Sequence, residues 1–67
     1  MTEPRFEIGQ PVTITTGDFE PLGFPAGYVG FVVVRCKYLR KSGIWSYTLQ
    51  CGERAIIATE TEIGEDL

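Results

Sequence analysis

Residues 45–51 read Trp45-Ser46-Tyr47-Thr48-Leu49-Gln50-Cys51, with an apolar side chain or a Cys at every odd position and a polar one at every even position. That period of two belongs to a strand with one buried face, not to a helix. The preceding segment, Gly30-Phe31-Val32-Val33-Val34-Arg35-Cys36-Lys37-Tyr38, alternates in its second half, and Lys41-Ser42-Gly43 supplies a turn between the two. The pair predicts a β-hairpin at the centre of a small β domain. It fixes an architecture and leaves the chemistry open.

The 67 residues allow one domain, near the lower limit at which a hydrophobic core alone supports folding. The longest apolar run in the hairpin, residues 31–34, is far too short to span a membrane, and the first residues, Met-Thr-Glu-Pro-Arg-Phe-Glu, lack a charged-then-apolar signal pattern. A cytoplasmic protein is the expectation. The formal charge of −3 argues against general affinity for phosphate backbones, which comes from many Lys and Arg contacts. Charge is nonetheless uneven. Four of the six basic residues, Arg35, Lys37, Arg40 and Lys41, fall in the hairpin, whereas five of the nine acids, Glu53, Glu60, Glu62, Glu65 and Asp66, follow it. The surface is therefore predicted to be dipolar, either as ordinary solubilising charge or as a basic docking edge for an acidic partner.

Residues 1–5 read as a flexible tail and residues 6–67 as one domain. A first strand is predicted over 11–15, with Val12 and Ile14 on one side. Residues 16–27 carry two prolines and three glycines, which rule out a regular helix and predict a structured loop that folds Leu22 and one Phe over the core. Further strands are expected over 28–39 and 44–51. With Ser42-Gly43 as a two-residue turn, Cys36 faces Leu49 and Val34 faces Cys51. The core face then collects Val32, Val34, Cys36, Tyr38, Trp45, Tyr47, Leu49 and Cys51, and sends Arg35, Lys37, Ser46, Thr48 and Gln50 outward. A tight turn at Gly52-Glu53 leads to a fourth strand, 54–58, in which the alternation is lost and one Ile is either partly exposed or covered by the loop. A single helical turn over 59–62 and a short closing strand drawing on Ile63 and Leu67 complete the chain.

Five short strands, a long first loop and tight later hairpins predict an all-β, partly open barrel, an arrangement that removes most exposed edges from a sheet this small. The spacing Gly9-x-x-Val12-x-Ile14, then Gly23-x-x-x-Gly27-x-x-Gly30-x-Val32, then an aromatic-containing strand and a terminal Glu-x-x-Ile or Glu-Asp-Leu, resembles small bacterial SH3-like barrels of the KOW type. The resemblance covers nearly the whole chain. It implies an SH3-like five-stranded barrel. Domains of that kind serve as transcription and ribosomal RNA-binding modules, as accessory subunits of larger enzymes and photosynthetic complexes, and as stand-alone adaptors. The net negative charge separates this chain from the RNA-binding members.

The sequence holds no His, which removes the commonest general acid/base and the commonest neutral metal ligand. It has neither a phosphate-cradling loop ending in Lys-Ser/Thr nor a dinucleotide fingerprint. The acid pairs Asp18 with Glu20 and Glu60 with Glu62 fall in segments that read as exposed. No enzyme, no cofactor and no metal site is predicted. Cys36 and Cys51 become diagonal neighbours under the register above, and are read as buried free thiols, with a redox-switched bridge as the alternative.

Eight aromatic residues exceed what so small a core needs, and Phe19, Phe24 and Phe31 lie in the long loop or on the outward parity. Exposed aromatics anchor interfaces, whereas the same rings could simply cap the open barrel end. The leading expectation is a non-catalytic interaction module, an adaptor, regulator or accessory subunit. It would bind a larger protein through Asp18, Phe19, Glu20 and Phe24 of the loop and through Phe31, Arg35 and Lys37 of the adjoining face. Phe24→Asp would then abolish binding and leave the fold intact. A nucleic-acid-binding module using Arg35, Lys37, Arg40 and Lys41 with Tyr38 or Phe31 for stacking is one alternative, and a small phage-type inhibitor of a host protein is another. An outward row of Phe31, Val33 and Ile57 would allow homo-oligomerisation.

Overall fold

A computed structural model describes residues 3–65. They form five strands, β1 (Pro11–Ile14), β2 (Phe31–Leu39), β3 (Ile44–Cys51), β4 (Arg54–Thr59) and β5 (Ile63–Glu65). All pair antiparallel in one sheet of order β4-β3-β2-β1-β5, with β4 and β5 at its two ends. The sheet is not closed. This is the all-β, partly open barrel with a long first loop that the sequence predicts. Among the described residues no helix is long and apolar enough to cross a membrane.

β1 forms as expected, with Val12 and Ile14 fully buried. No α-helix follows it. Residues Gly17–Leu22 wind instead as a short 3-10 helix, entered at Thr16, whose side chain accepts from the Asp18 N–H, and closed at Gly23, whose N–H donates to the Glu20 carbonyl at 2.9 Å. None of the six residues is buried, and Leu22 is 50% exposed. The predicted inward fold of Leu22 is therefore incorrect, while Phe24, just past the helix, does turn inward and is buried. The end of the loop is tied to β1, because the Gly27 N–H donates to the Ile14 carbonyl at 2.6 Å and the Thr13 hydroxyl donates to the Tyr28 carbonyl at 2.6 Å.

The β2–β3 hairpin departs from its predicted register in two ways. Leu39 pairs with Ile44, so the connection has four residues, Arg40-Lys41-Ser42-Gly43, and Cys36 faces Tyr47 rather than Leu49. A β-bulge then lies between Val33 and Arg35, where the pairing changes from Arg35↔Thr48 to Val33↔Leu49. The extra residue, Val34, reverses the parity of everything before it. Phe31 and Val33, expected outside, are fully buried, whereas Val32 and Val34, expected inside, are 39% and 42% exposed. Tyr38 is also partly exposed, at 38%, although it keeps core parity, because the arm it stands on extends past the core.

The turn at Gly52-Glu53 is as predicted, with Cys51 paired to Arg54. Gly52 has φ +62° and Glu53 does not share the left-handed region, the pattern of a two-residue turn with glycine at its first central position. In β4, Ile56 and Ala58 are buried and Ile57 points out. A 3-10 turn over Glu60–Glu62 follows, with the Glu62 Oε1 accepting from the Thr59 N–H at 2.9 Å. β5 closes on β1 through Ile14↔Ile63; Leu67 lies outside the described residues.

The core joins Phe6, Val12, Ile14, Phe24, Phe31, Val33, Tyr47, Leu49, Ile56, Ala58 and Ile63. Phe6 stands edge-on to Tyr47 at 5.4 Å between ring centroids, and the Tyr47 hydroxyl accepts the N–H of Arg5 at 2.9 Å and of Phe6 at 3.3 Å. One buried side chain thus orders the segment that leads into β1.

Candidate interaction surface

The structure divides the predicted partner-binding residues. Phe24 and Phe31 pack edge-to-face at 4.9 Å, Tyr28 lies within 5.4 Å of both rings, and Phe24 and Phe31 are 3% and 0% exposed. They cap the barrel end and present nothing to a partner. Their assignment as interface anchors is incorrect, and so is the expectation that Phe24→Asp would spare the fold, because it would place a carboxylate among aromatic rings. The cover is held from outside by Arg54, whose guanidinium lies 4.5 Å from the centre of the Phe24 ring. Phe19 is half-buried against the core, and of the four loop residues predicted to bind a partner only Asp18 and Glu20 are exposed.

Arg35 and Lys37 lie beyond the bulge, exposed on the outer face of the sheet. Cross-strand pairing sets Arg35 beside Thr48 and Thr48 beside Ile57, and sets Lys37 beside Ser46. These residues, with Cys36, line a shallow groove of about 190 Å³. Ile57, 68% exposed, is its apolar wall, and the two cations frame it. Of the outward row Phe31, Val33 and Ile57 expected to pair two barrels, Ile57 alone is exposed. The sequence reading placed Ile57 outward only as part of that self-pairing row and did not count it among the partner-binding residues, although a strand containing Ile56-Ile57 turns one of the two outward.

The hairpin arm carries the other predicted set. Lys37, Tyr38, Arg40 and Lys41, with Leu39 and Ser42, line a second concavity of about 470 Å³ beside the four-residue connection. Tyr38 leans on Trp45 at 5.3 Å, and the Trp45 backbone N–H donates to the Glu60 Oε2 at 3.2 Å. Arg35, on the outer face, does not line this concavity.

Cys36 and Cys51 are free and half-buried. The register separates them, since Cys36 stands opposite Tyr47, four residues along β3 from Cys51, or about 13 Å at strand rise. The predicted diagonal contact is therefore incorrect, and a bridge within the chain would require the β2–β3 pairing to break. The Cys51 sulfur lies 3.8 Å from the Tyr28 hydroxyl, and this hydrogen bond is the main cause that raises the Tyr28 pKa above its ordinary value.

Compared with known proteins, the chain matches no family model, no curated protein and no solved structure.

Proposed function

We propose that the chain is a non-catalytic, cytoplasmic protein-interaction module that binds a larger protein through the outer face of β2, β3 and β4. The observation that carries this reading is the groove in which Arg35 and Lys37 frame the exposed Ile57. An apolar centre rimmed by charge is the usual anatomy of a docking patch, the centre supplying affinity and the rim orientation. The resemblance of the glycine and valine spacing to SH3-like barrels of the KOW type supports a role as adaptor, regulator or accessory subunit, and a small inhibitor of another protein would use the same physics. The long loop, in this reading, closes the barrel end and stays out of the interface.

The test is a pull-down with tagged protein from the native host at low and high salt, comparing the unaltered chain with Ile57→Asp. A stoichiometric protein retained at high salt and lost with Ile57→Asp is the expected result. Equal capture by both would remove the groove from the interface.

A second reading has its own observation: Tyr38, with Lys37, Arg40 and Lys41, lines the concavity on the arm. An aromatic face among cations suits a single nucleic-acid strand, one base stacking on Tyr38. Under that reading the eluate absorbs at 260 nm and the bound material is lost steeply as salt rises.

A further inference from the structure

β1 covers only the beginning of β2. Their pairing runs through Val12↔Phe31 and Pro11↔Val32, and continues with the Gly9 N–H donating to the Val33 carbonyl at 2.7 Å and the Val33 N–H to the Gln10 carbonyl at 3.1 Å. There the chain reverses, with the Gln10 N–H donating to the Glu7 carbonyl at 3.0 Å and Phe6 entering the core. Residues 34–39 consequently have β3 on one side and, among the described residues, no strand on the other. Six residues of open edge offer roughly 20 Å of backbone along which alternate N–H and C=O groups lack a strand partner.

The charges beside this edge select what can pair with it. Arg35 and Lys37 are both exposed on the same face, two residues apart. Pairing this edge with its own copy about a two-fold axis would bring these cations toward the partner's identical ones, so the edge is guarded against self-addition. A strand with an acid at every second position meets the opposite situation. Its carboxylates would lie beside Arg35 and Lys37 at the mouth of the groove, while its intervening side chains would fall on the other face, beside Cys36 and the exposed Tyr38. The other long edge, β4, has no such preference, because Ala55 and Ile57 are neutral and its cation, Arg54, is engaged over Phe24.

We propose that the edge at residues 34–39 accepts an extended, acidic segment of the partner protein as an added β-strand, with acids at alternate positions opposite Arg35 and Lys37. The proposal rests on the interaction-module reading and specifies its ligand. Main-chain hydrogen bonds would supply affinity and the alternating acids specificity, as in other cases of strand addition.

The probe is an acetylated, amidated hexapeptide of alternating Glu and Val, followed by amide chemical shifts and hydrogen exchange of the full chain. Saturable binding below roughly 1 mM is expected, with new protection at alternate amides within 34–39. Two further peptides, N-methylated at the odd or at the even positions, separate strand pairing from simple charge attraction. One should lose binding and the other keep it, since only one set of N–H groups faces β2. The double variant R35E/K37E should bind the parent peptide about tenfold more weakly and gain binding to the alternating Lys-Val peptide. Lys37→Glu alone repeats the test with a smaller change should the double variant not fold. The proposal is overturned by no saturable binding, by equal binding of both N-methylated peptides, by protection at β4, or by an oligothymidylate that binds residues 34–41 at least tenfold more tightly than the peptide. If the hexapeptide fails while Ile57→Asp still abolishes capture of a host protein, strand addition falls and the interaction module stands.

Discussion

At the loop end of the barrel Phe24, Tyr28 and Phe31 close on one another and the Arg54 guanidinium lies over the Phe24 ring, whereas on the β2–β3 arm Tyr38 leans on Trp45 with Lys37, Arg40 and Lys41 around it in solvent. Both regions combine aromatic rings with basic side chains. In the first the rings are inside and a cation seals them; in the second the cations are outside and a ring is left partly uncovered. Composition is thus a poor guide to which aromatic cluster binds and which one packs. What separates them is reach along one face of the sheet: Phe31 lies over the core under the long loop, whereas Tyr38 keeps core parity on an arm that extends past it.

The sharpest way to break the comparison is to place a charge in the loop-end cluster. Phe31→Asp should leave no folded protein by circular dichroism, because even truncation of a buried Phe costs about 3–5 kcal/mol, and a chain of this length holds only roughly 3–10 kcal/mol in all. A folded Phe31→Asp variant would mean that the ring is not in the core. Next in size is Tyr47→Phe, which removes the acceptor shared by the Arg5 and Phe6 N–H groups and should lower stability in urea by about 1–3 kcal/mol. The same variant has a pH signature. Burial raises the Tyr47 phenol above its ordinary 10.0, against the opposing effect of the two backbone hydrogen bonds, so the folded state holds this proton more tightly than the unfolded state. The resulting stability is intact below pH 10.0 and is lost as pH rises through the folded pKa. Thermal midpoints measured across the alkaline range should therefore fall less steeply for Tyr47→Phe than for the unaltered chain.

Arg54→Ala tests the seal itself and should cost about 0.5–1 kcal/mol, the worth of an exposed cation over a ring. An unchanged urea midpoint would reduce Arg54 to a spectator. The smallest effect belongs to the outer face of the sheet, where Ile57→Ser should alter stability by no more than about 0.5 kcal/mol while weakening capture of a partner. A large loss of stability there would place Ile57 in the core and erase the distinction between the two faces.

The β3 strand, the Gly52-Glu53 turn and the closing turn before β5 were legible because alternation and turn residues are local signals, and so was the presence of the β2–β3 hairpin, though not the length of its connection. β2 was only half legible, for two separate reasons. Pairing Leu39 with Ile44, in place of a two-residue turn, shifts the register by two, and a shift of two leaves every side chain on its original face, so alternation cannot detect it. The bulge shifts the register by one and does change faces, but it falls among Val32, Val33 and Val34, which are chemically identical. Any of them reads equally well as inside or outside. The candidate site inherited that ambiguity: Arg35 and Lys37, beyond the bulge, were placed correctly on the outer face, while Phe31, before it, was not. Phe24 was missed for another reason, since nothing local tells whether a ring in a loop covers the barrel or faces the solvent.

The residue at position 34 amounts to one codon, and the bulge absorbs it as a spare beat in a repeating pattern. Without Val34 the alternation set by Phe31 and Val33 would run on unbroken through the arm, with Arg35 and Lys37 still outward and Cys36 still inward, so the bulge holds one residue that no other side chain needs in order to keep its face. No side-chain chemistry would have changed, only the count. The bulge is therefore where β2 can lose a residue at no cost to the division between inside and outside: a single in-frame deletion there would straighten the strand while the arm and the barrel core each keep their faces.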